Sequence, residues 1–344
     1  MNVLLSAVGS RAYLVNYFKE VVHPLGGKVF ATNTHAGATG FLEADQSWVV
    51  PPSASTEEFI EVMVRLCREN QIRLLFSLHD WEAPVIAAHR QRFLDVGTIP
   101  VMGSAEVLSV CLDKYRTVCQ AKELGVPVPQ TFLSLEEVEA ALQGGLSFPL
   151  VVKPRWGQGS VGLFQVHAPE ELRAAYQLSR IQAERFAKIC PGVDPDQPQV
   201  LIQAFIPGEE YGCDIVNDLD GKFRRAFVKR KFDMRSGETD IAESVSRPDI
   251  EALGETIAKW SRHLGCMDSD FIVSEAGIPY LIELNPRFGG GYPFTHCAGA
   301  NIPQACVRWA SGDPDPDNTW CSRYRTGVRT YKEIALYTQD QATC

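Results

Sequence analysis

The alternation of short apolar runs with amphipathic segments in the N-terminal third constrains the fold more than any other feature of this chain. The apolar runs lie at 3–8, 28–32, 48–50, 72–78 and 99–102. Between the first two runs, Leu14, Tyr17, Phe18 and Val21 recur at the spacing of one helix face. Because strand, helix and strand in succession build parallel βαβ units, we predict a parallel-sheet α/β domain over residues 1–104.

The remainder of the chain is predicted to form two further regions of mixed helices and strands. Helices are expected at 113–124, from 169 to about 188, and at 250–264. Strands are expected at 148–153, 163–166, 200–205, 211–217, 223–231, 270–274 and 280–285. A surface loop rich in Pro and Asp is expected at 191–198, and Ser55 with Glu58 predicts a capping box in the first region.

Composition and charge exclude several classes of protein. The chain has 344 residues, of which 45% are hydrophobic and 22% charged, and its net charge is −9. This acidic balance, without a run of five basic residues, argues against binding to duplex nucleic acid, which needs cations to neutralise phosphates. No apolar stretch is long enough to span a membrane, and the first apolar run lacks the basic start of a signal peptide.

The cysteine and histidine patterns favour a reduced setting over a metal framework. Ten cysteines occur without a CxxC pair, several of them within apolar segments. This pattern is typical of buried thiols in a reducing, cytoplasmic setting. Seven histidines show neither HxxxH nor HExxH spacing, so a catalytic zinc is not expected.

A glycine-rich segment, Arg155-Trp-Gly-Gln-Gly-Ser-Val-Gly162, lies between two predicted strands. This position excludes a Walker loop or a Rossmann turn, because both join a strand to a helix. Its glycines would let backbone N–H groups approach phosphate oxygens. A flexible surface hairpin would have the same composition, so both interpretations stay open.

Two lysines are candidates for phosphate contacts. Lys153 ends an apolar strand just before the glycine-rich segment, where an ammonium group can reach a phosphate as a point charge. Lys114 follows Asp113 at the start of a predicted helix, where a cation is unfavourable beside the helix dipole, and this indicates an anionic partner. The alternatives are a lysine extending from a strand end and a solvated helix lysine.

The strongest local signal is the segment 270–287, which is predicted to form a β-hairpin. Asp270 falls on its first strand, and Glu283 and Asn285, two residues apart, point to one face of the second. Two carboxylates and an amide oxygen suit Mg²⁺, with phosphates completing the octahedron. Arg287 continues the same parity and could hold a transferring phosphoryl group. A solvated polar face is the alternative, although carboxylates in so apolar a strand would need a cation.

Taken in chain order, these segments resemble the motifs of the ATP-grasp superfamily, and most closely those of its carbamoyl-phosphate-synthetase-like carboxylate–amine ligases. The matching segments are Asp113-Lys114, Val152-Lys153-Pro154, residues 157–162, Gln203-Ala-Phe-Ile206 with Gly208-Glu-Glu-Tyr211, and Glu283-Leu-Asn285-Pro-Arg287. The resemblance implies an α/β fold with an N-terminal parallel-sheet (pre-ATP-grasp) domain followed by a two-lobed α+β ATP-grasp domain. The expected boundaries are 1–104, then an N-terminal lobe with a glycine-rich lid at 105–198, and a C-terminal lobe at 199–344 with the metal site and tail.

The resemblance also implies roles for individual residues. Those expected to bind ATP are Lys114, Lys153, Gly157, Gly159, Ser160, Gly162, Gln203, Phe205, Ile206 and Glu210, with Phe205 at the adenine and Glu210 at the ribose. Those expected to bind Mg²⁺, or Mn²⁺, are Asp270, Glu283 and Asn285. Arg287 and Lys231 are the expected catalytic residues, although which of Lys229, Arg230 and Lys231 contacts the phosphates is open. The family usually carries an acid near 203–204, and Gln203-Ala204 therefore implies weaker discrimination at the adenine amino group.

The implied activity is ATP-dependent ligation: a carboxylate is activated as an acyl phosphate and joined to an amine, releasing ADP and phosphate. An ATP-grasp carboxylase, a kinase and a catalytically silent nucleotide-binding protein are the alternatives. The expected partners are a small-molecule carboxylate and an amine, with neither nucleic acid nor membrane, and the chain is expected to form a homodimer.

The substrate pocket is less constrained by the sequence. Trp156, Tyr292, Phe294 and His296 flank the glycine-rich loops, so they could line the pocket or serve ordinary packing. Arg11, near the end of the first strand, could meet an acidic substrate or form a surface salt bridge.

Overall fold

The computed structural model describes residues 1–188, 193–194, 196–235 and 237–338, and its N-terminal part is built on a parallel sheet. The strands are β1 (Asn2–Ser6), β2 (Val29–Asn33), β3 (Gln46–Val49), β4 (Ile72–Ser77) and β5 (Ile99–Pro100). Their order in the sheet is β3-β2-β1-β4-β5, with every pair parallel. The predicted parallel-sheet domain is confirmed.

Five helices connect these strands. They are α1 (Ala12–Val22), α2 (Gly40–Glu43), α3 (Thr56–Glu69), α4 (Ala83–Ala88) and α5 (Arg90–Leu94). α1 buries Leu14 and Phe18 as its spacing predicts. The predicted capping box is wrong, because Ser55 has ψ 64° rather than an extended backbone and its side chain makes no capping hydrogen bond.

The strand order places a topological switch point between β1 and β4. From β1 the chain builds outward through β2 and β3, and then returns to add β4 and β5 on the other side. The loops that follow β1 and β4 therefore leave the sheet at the same edge and diverge. In open α/β sheets such a crevice is where ligands bind.

The second region contains a four-stranded antiparallel sheet flanked by helices. Its elements are α6 (Ala105–Leu112), α7 (Lys114–Glu123), β6 (Thr131–Phe132), α8 (Leu135–Gln143), β7 (Leu150–Pro154), β8 (Phe164–Val166), α9 (Pro169–Ala187) and β9 (Val200–Ala204). The chain changes direction between α6 and α7 at Asp113, whose carboxylate accepts hydrogen bonds from Tyr115 N and Arg116 N.

The strand β9 belongs to the sheet of this second region. The sheet order is β6-β9-β7-β8, and β9 pairs along its whole length with β7. The predicted boundary at 198/199 would separate β9 from its own sheet. The loop predicted at 191–198 lies partly outside the described residues.

The third region is a six-stranded antiparallel sheet with three helices. Its elements are β10 (Gly208–Asn217), β11 (Phe223–Arg235), β12 (Glu238–Val245), α10 (Pro248–Ser261), β13 (Gly265–Ser274), β14 (Pro279–Asn285), α11 (Tyr292–Cys297), α12 (Ile302–Ala310) and β15 (Arg329–Tyr331). The order is β14-β13-β10-β11-β12-β15. The predicted two-lobed α+β arrangement is confirmed, whereas the sequence did not predict β12 and β15.

One hydrophobic core joins the first and third regions. Phe18 of α1 and Phe76 of β4 pack with Phe288 and Tyr292, which follow β14. This shared core fixes the crevice of the parallel sheet against the end of the β13–β14 hairpin. Within the described ranges, no helix is both long and apolar enough to cross a lipid bilayer.

Candidate active site

The β13–β14 hairpin gathers four oxygen-bearing side chains on one face. Its register sets Asp270 opposite Glu283 and Asp268 opposite Asn285. Leu284, between the two residues of β14, is buried on the other face. The structure therefore brings together Asp270, Glu283 and Asn285. It adds Asp268, which the sequence analysis missed although it shares parity with Asp270.

Two lysines from different elements hold the two facing carboxylates. Lys114 Nζ, at the start of α7, lies 3.1 Å from Glu283 Oε1 and also donates to Gly157 O at 2.6 Å. Lys231 Nζ, on β11, donates to Asp270 Oδ1 at 2.5 Å. Burial opposes the charge on Lys231, but Asp270 more than compensates, so the pKa of Lys231 is raised. Each predicted metal carboxylate therefore has an ammonium partner.

Of the three basic residues on β11 that the sequence left open, only Lys231 forms an ion pair with a carboxylate of this cluster. Lys229 is 1% exposed and donates to Asp214 Oδ2 at 2.7 Å, in a buried pair on the same face of β11 as Lys231. Arg230 points to the opposite side and pairs with Glu209. Lys231 is thus the basic residue of this strand that the geometry offers to a ligand.

Lys153 is a third cation in the same cluster. It lies at the end of β7 and is 5% exposed. Burial, and next the neighbouring Lys114, lower the pKa of Lys153 to about 8, while Glu283 acts in the opposite direction. An anionic ligand would stabilise the ammonium form and raise this pKa again.

The oxygen ligands of the hairpin fit a hard divalent cation. Burial and the nearby Asp270 raise the pKa of Asp268 to about 7, which is the behaviour of crowded carboxylates that lack a sufficient counter-charge. Over the described part of the chain, no three His, Cys, Asp or Glu side chains converge closely enough to hold a metal ion alone. The predicted set has two carboxylates and one amide, so it would need ligand oxygens to complete an octahedron.

A cleft of about 360 Å³ runs between the four-stranded and six-stranded sheets, and we name it the inter-sheet cleft. Its polar and glycine lining residues include Lys114, Lys153, Gly157, Gln158, Gly159, Ser160, Gln203, Glu210, Lys231, Gly237, Asp270 and Glu283. Phe205 and Ile206 line it just after β9. The structure thus gathers nearly all of the residues predicted to bind a nucleotide.

Two predicted nucleotide residues behave differently from the rest. Gly162 does not line the inter-sheet cleft, and a Cβ atom there would lie 3.0 Å from Gln182 Cβ on α9. Gln203 lines the cleft, but its side chain donates to Thr131 Oγ1 at 2.8 Å. Its amide is therefore held against β6, and the backbone after β9 remains the more accessible surface.

A second cavity of about 370 Å³ lies at the switch point of the parallel sheet, and we name it the switch-point cavity. Its lining residues include Arg11, His79, Gln158, Gly159, Lys231, Gly237, Glu238, Thr239, Asp268, Asp270, Glu283, Asn285, Arg287, Gly290 and Gly291. Its walls therefore come from the loops after β1, β4 and β14 and from the β11–β12 turn. The two cavities share Lys231, Asp270, Glu283 and the tip of the glycine-rich segment.

Arg287 lines the switch-point cavity and is fixed by a carboxylate from the parallel-sheet domain. Its Nε and Nη2 atoms donate to Asp80 Oδ1 at 2.6 Å and Oδ2 at 2.7 Å. Burial opposes the ionisation of Asp80, but Arg287 outweighs it and keeps the pKa of Asp80 below its ordinary value. Asp80 was missed because 207 residues separate it from Arg287.

The aromatic residues near the glycine-rich loops serve packing. Tyr292 and Phe294 are buried in α11, and His296 stacks on Tyr17 with ring centroids 3.7 Å apart. Trp156 packs beneath the guanidinium of Arg155. The lining of the switch-point cavity includes none of them.

Comparisons with known proteins agree with this architecture. Residues 3–101 match a family model described as "PylC-like, N-terminal domain", and residues 196–332 match "ATP-grasp in the biosynthetic pathway with Ter operon". A D-alanine–D-alanine ligase B of Clostridium perfringens is 26% identical over 63% of this chain and 74% of its own length. Another, from Chromobacterium violaceum, is 29% identical over 55% of this chain and 60% of its own length.

Solved structures with low sequence identity share the fold. The biotin carboxylase domain of 2-oxoglutarate carboxylase from Hydrogenobacter thermophilus superimposes with a TM-score of 0.73 at 18% identity, over 95% of this chain and 73% of that one. An L-amino acid ligase from Bacillus licheniformis gives 0.65 at 18% identity, over 91% and 75%. The chain is therefore similar to ATP-grasp proteins: residues 196–332 match an ATP-grasp family model, the curated relatives are D-alanine–D-alanine ligases, and the solved structures share the fold.

Proposed function

We propose that this protein is an ADP-forming ligase that activates a small-molecule carboxylate and joins it to an amine. One observation supports this above the others. The inter-sheet cleft and the switch-point cavity meet at Lys231, Asp270 and Glu283. A nucleotide in the inter-sheet cleft would bring its terminal phosphoryl group to these three residues. An acid in the switch-point cavity would bring its carboxylate to the same residues, so the two reacting groups would meet there.

The reaction would proceed in two displacements. A carboxylate oxygen of the acid attacks the γ-phosphorus of ATP, the bond to the β-phosphate oxygen breaks, and ADP leaves. The amine nitrogen then attacks the acyl carbon, the bond from that carbon to the phosphate oxygen breaks, and the amine loses a proton as phosphate departs. The protein would contribute position and charge rather than covalent chemistry.

Within this proposal, the residues of the inter-sheet cleft hold ATP. Lys114 and Lys153 contact its phosphates, Glu210 the ribose, and the backbone at Phe205 and Ile206 the adenine. Glu283 and Asp270 already hold the ammonium groups of Lys114 and Lys231 by ion pairs. The phosphates of ATP would therefore bind to cations that are already in place. The glycine-rich segment reaches both cavities and would exclude water from the acyl phosphate.

Magnesium would be held by Asp270, Glu283 and Asn285, with Asp268 beside them. When bound, it supplies charge that neutralises the transferring phosphoryl group. Lys231 would face the same group from β11. Asp80 would hold the guanidinium group of Arg287 so that its positive charge faces the switch-point cavity.

The proposal is tested with hydroxylamine, which traps acyl phosphates and replaces the unidentified amine. We expect ADP and an acyl hydroxamate to form together from ATP, Mg²⁺ and members of a panel of carboxylic acids. Glu283→Gln should lower the rate at least about a hundredfold, because it removes a charge at the phosphoryl group. The matched control Glu61→Gln, on the exposed face of α3, should retain the full rate.

Other outcomes would favour the rival activities. ADP formation that requires bicarbonate rather than an organic acid would indicate a carboxylase, and a stable phosphorylated product that hydroxylamine does not intercept would indicate a kinase. ATP binding without ADP formation from any acid would indicate a silent nucleotide-binding protein. A full rate in Glu283→Gln would reject the assigned site.

The proposal extends to a homodimer in a reducing, cytoplasmic setting. The eight cysteines within the described ranges are all unpaired thiols, and burial raises the pKa of Cys67 to about 12. Buried, protonated thiols of this kind suit a reducing environment. Light scattering of the purified chain, with and without reductant, tests whether the chain forms a homodimer and whether that dimer depends on disulfides.

A further inference from the structure

Among the described residues that line the switch-point cavity, one cation has no counter-ion. The other basic side chains of this cavity are matched, Lys231 by Asp270 and Arg287 by Asp80. Arg11, which precedes α1 at the end of the β1 loop, is partly buried and lines the cavity. Within the described part of the chain, no carboxylate oxygen lies within 4 Å of Arg11 to form an ion pair, although the hydroxyl of Tyr13 and the carboxylates of Asp80 and Glu238 are close enough to influence it.

This unmatched guanidinium is costly unless a ligand pairs with it. Burial, and next the neighbouring Arg287, lower the pKa of Arg11, yet a guanidinium stays protonated in proteins. Two guanidinium groups facing one partly buried cavity repel each other and lose hydration. An anion on Arg11 would relieve both costs, and a carboxylate matches its planar fork of N–H donors.

A nucleotide in the inter-sheet cleft would not place a phosphate on Arg11. Arg11 lines only the switch-point cavity, whereas Lys231, Asp270 and Glu283 line both cavities. Arg11 therefore lies in the part of the switch-point cavity that the inter-sheet cleft does not share. A group bound there belongs to the molecule that fills the switch-point cavity.

Glu238 supplies a carboxylate in the same part of the switch-point cavity as Arg11. Glu238, the first residue of β12, lines the switch-point cavity but not the inter-sheet cleft. Lys332 Nζ donates to Glu238 Oε2 at 3.0 Å, and this hydrogen bond lowers the pKa of Glu238 below its ordinary value. Glu238 is thus ionised and can receive a hydrogen bond from an ammonium group.

We propose, on the basis of the ligase function above, that the acid substrate is an amino dicarboxylic acid. Its reacting carboxylate points toward Lys231 and the hairpin, its second carboxylate pairs with Arg11, and its ammonium group lies against Glu238. The cavity volume of about 370 Å³ suits a small metabolite of this kind. Arg11 and Glu238 then set specificity without taking part in phosphoryl transfer.

The test uses the hydroxylamine assay with acids that differ by one group. L- and D-glutamate and L- and D-aspartate carry all three groups, 4-aminobutanoate lacks the second carboxylate, and glutarate lacks the ammonium group. We expect at least one of the amino dicarboxylic acids to have the lowest KM. For that acid, Arg11→Met should raise KM about tenfold or more with little change in the KM for ATP, and Arg11→Lys should restore part of the loss.

Matched variants distinguish recognition from a general loss of structure. Arg65→Met, on the exposed face of α3, should leave every KM unchanged. Glu238→Gln should raise the KM for the amino dicarboxylic acid and leave that for glutarate unchanged. Arg11→Met should likewise leave the KM for 4-aminobutanoate unchanged, which a disordered active site would not do.

The outcomes separate this inference from the ligase proposal. If monocarboxylic acids react as well as amino dicarboxylic acids, or Arg11→Met keeps the wild-type KM, the inference is overturned and the ligase stands. If no acid gives ADP, the ligase proposal fails, and calorimetric binding of glutamate and aspartate to the enzyme with Mg-ADP decides the inference alone. Binding that Arg11→Met abolishes upholds it, and absence of binding overturns it.

Discussion

At the scale of single residues, the site is dominated by charges that the fold keeps close together before any ligand arrives. Lys153 is the clearest case, because burial and Lys114 lower its pKa to about 8. In the unfolded chain its pKa would be near 10.4. Between these values the folded protein binds fewer protons than the unfolded one, so stability rises with pH through this window. Below about pH 8 the buried charge persists and its cost is greatest.

The lowered pKa of Lys153 predicts that nucleotide binding is accompanied by proton uptake at alkaline pH. Phosphate oxygens would favour the ammonium form, so at about pH 9 the amine is mostly neutral before binding and charged afterwards. Calorimetry of ATP binding in two buffers of different ionisation enthalpy measures this uptake. Lys153→Met should abolish it, and Lys122→Met, an exposed change on α7, should not. Equal heats in both buffers for the wild type would contradict the assignment of Lys153 to the phosphates.

At the scale of elements, the apolar periodicity of the sequence predicted strands well. It did not predict strands that form because they pair with a distant strand. The strands of the parallel sheet and the β13–β14 hairpin were predicted because their apolar residues are dense or alternate. β12 was missed because its buried positions include Thr239, Ala242 and Ser244, which carry little apolar signal. It forms a strand because β11 extends to Arg235 and supplies a partner. Tertiary pairing overrides local propensity there.

A buried histidine in the connection between α10 and β13 predicts that the protein loses stability in mild acid. His263 is 1% exposed, with Nδ1 2.8 Å from Ser261 Oγ and Nε2 3.2 Å from Ile215 O. Burial lowers the pKa of His263 to about 4, and the Ile215 carbonyl opposes this only in part. The unfolded state, with a pKa near 6.5, gains the proton first as pH falls. Stability contributed by the neutral ring is therefore complete above about pH 6.5 and lost progressively toward pH 4.

Thermal unfolding of the wild type and His263→Gln between pH 7 and pH 5 measures this contribution. The wild type should lose up to about 2 kcal/mol over this range from His263 alone. His263→Gln should be less stable at pH 7 but should show a shallower dependence on pH. His167→Gln, at an exposed position, should keep the wild-type dependence. A variant at His263 with the wild-type slope would show that another group titrates.

At the scale of the whole molecule, the candidate site exists only because three sheets meet. The motifs of the hairpin and the glycine-rich segment could be recognised from the sequence, since each is local. Asp80 could not, because it becomes a partner of Arg287 only when the parallel sheet docks on the β13–β14 hairpin. The same docking leaves Arg11 facing a cavity rather than solvent, a distinction that no local pattern carries.

The Asp80–Arg287 pair predicts a strong energetic coupling between the parallel-sheet domain and the hairpin. Asp80→Asn would leave a buried guanidinium without its counter-ion, which should cost about 3 kcal/mol of unfolding free energy. Arg287→Met in the same chain should recover part of this loss, because no unpaired charge then remains. A double-mutant cycle by urea unfolding measures the coupling.

The exposed pair of Arg92 and Glu57, with atoms 2.7 Å apart, provides the matched control. A cycle with Arg92→Met and Glu57→Gln should give less than about 1 kcal/mol, because water screens both groups. If the two cycles gave similar coupling, the Asp80–Arg287 pair would be an ordinary surface contact. Arg287 would then be free to move, and the charge it directs into the switch-point cavity would not be fixed by the fold.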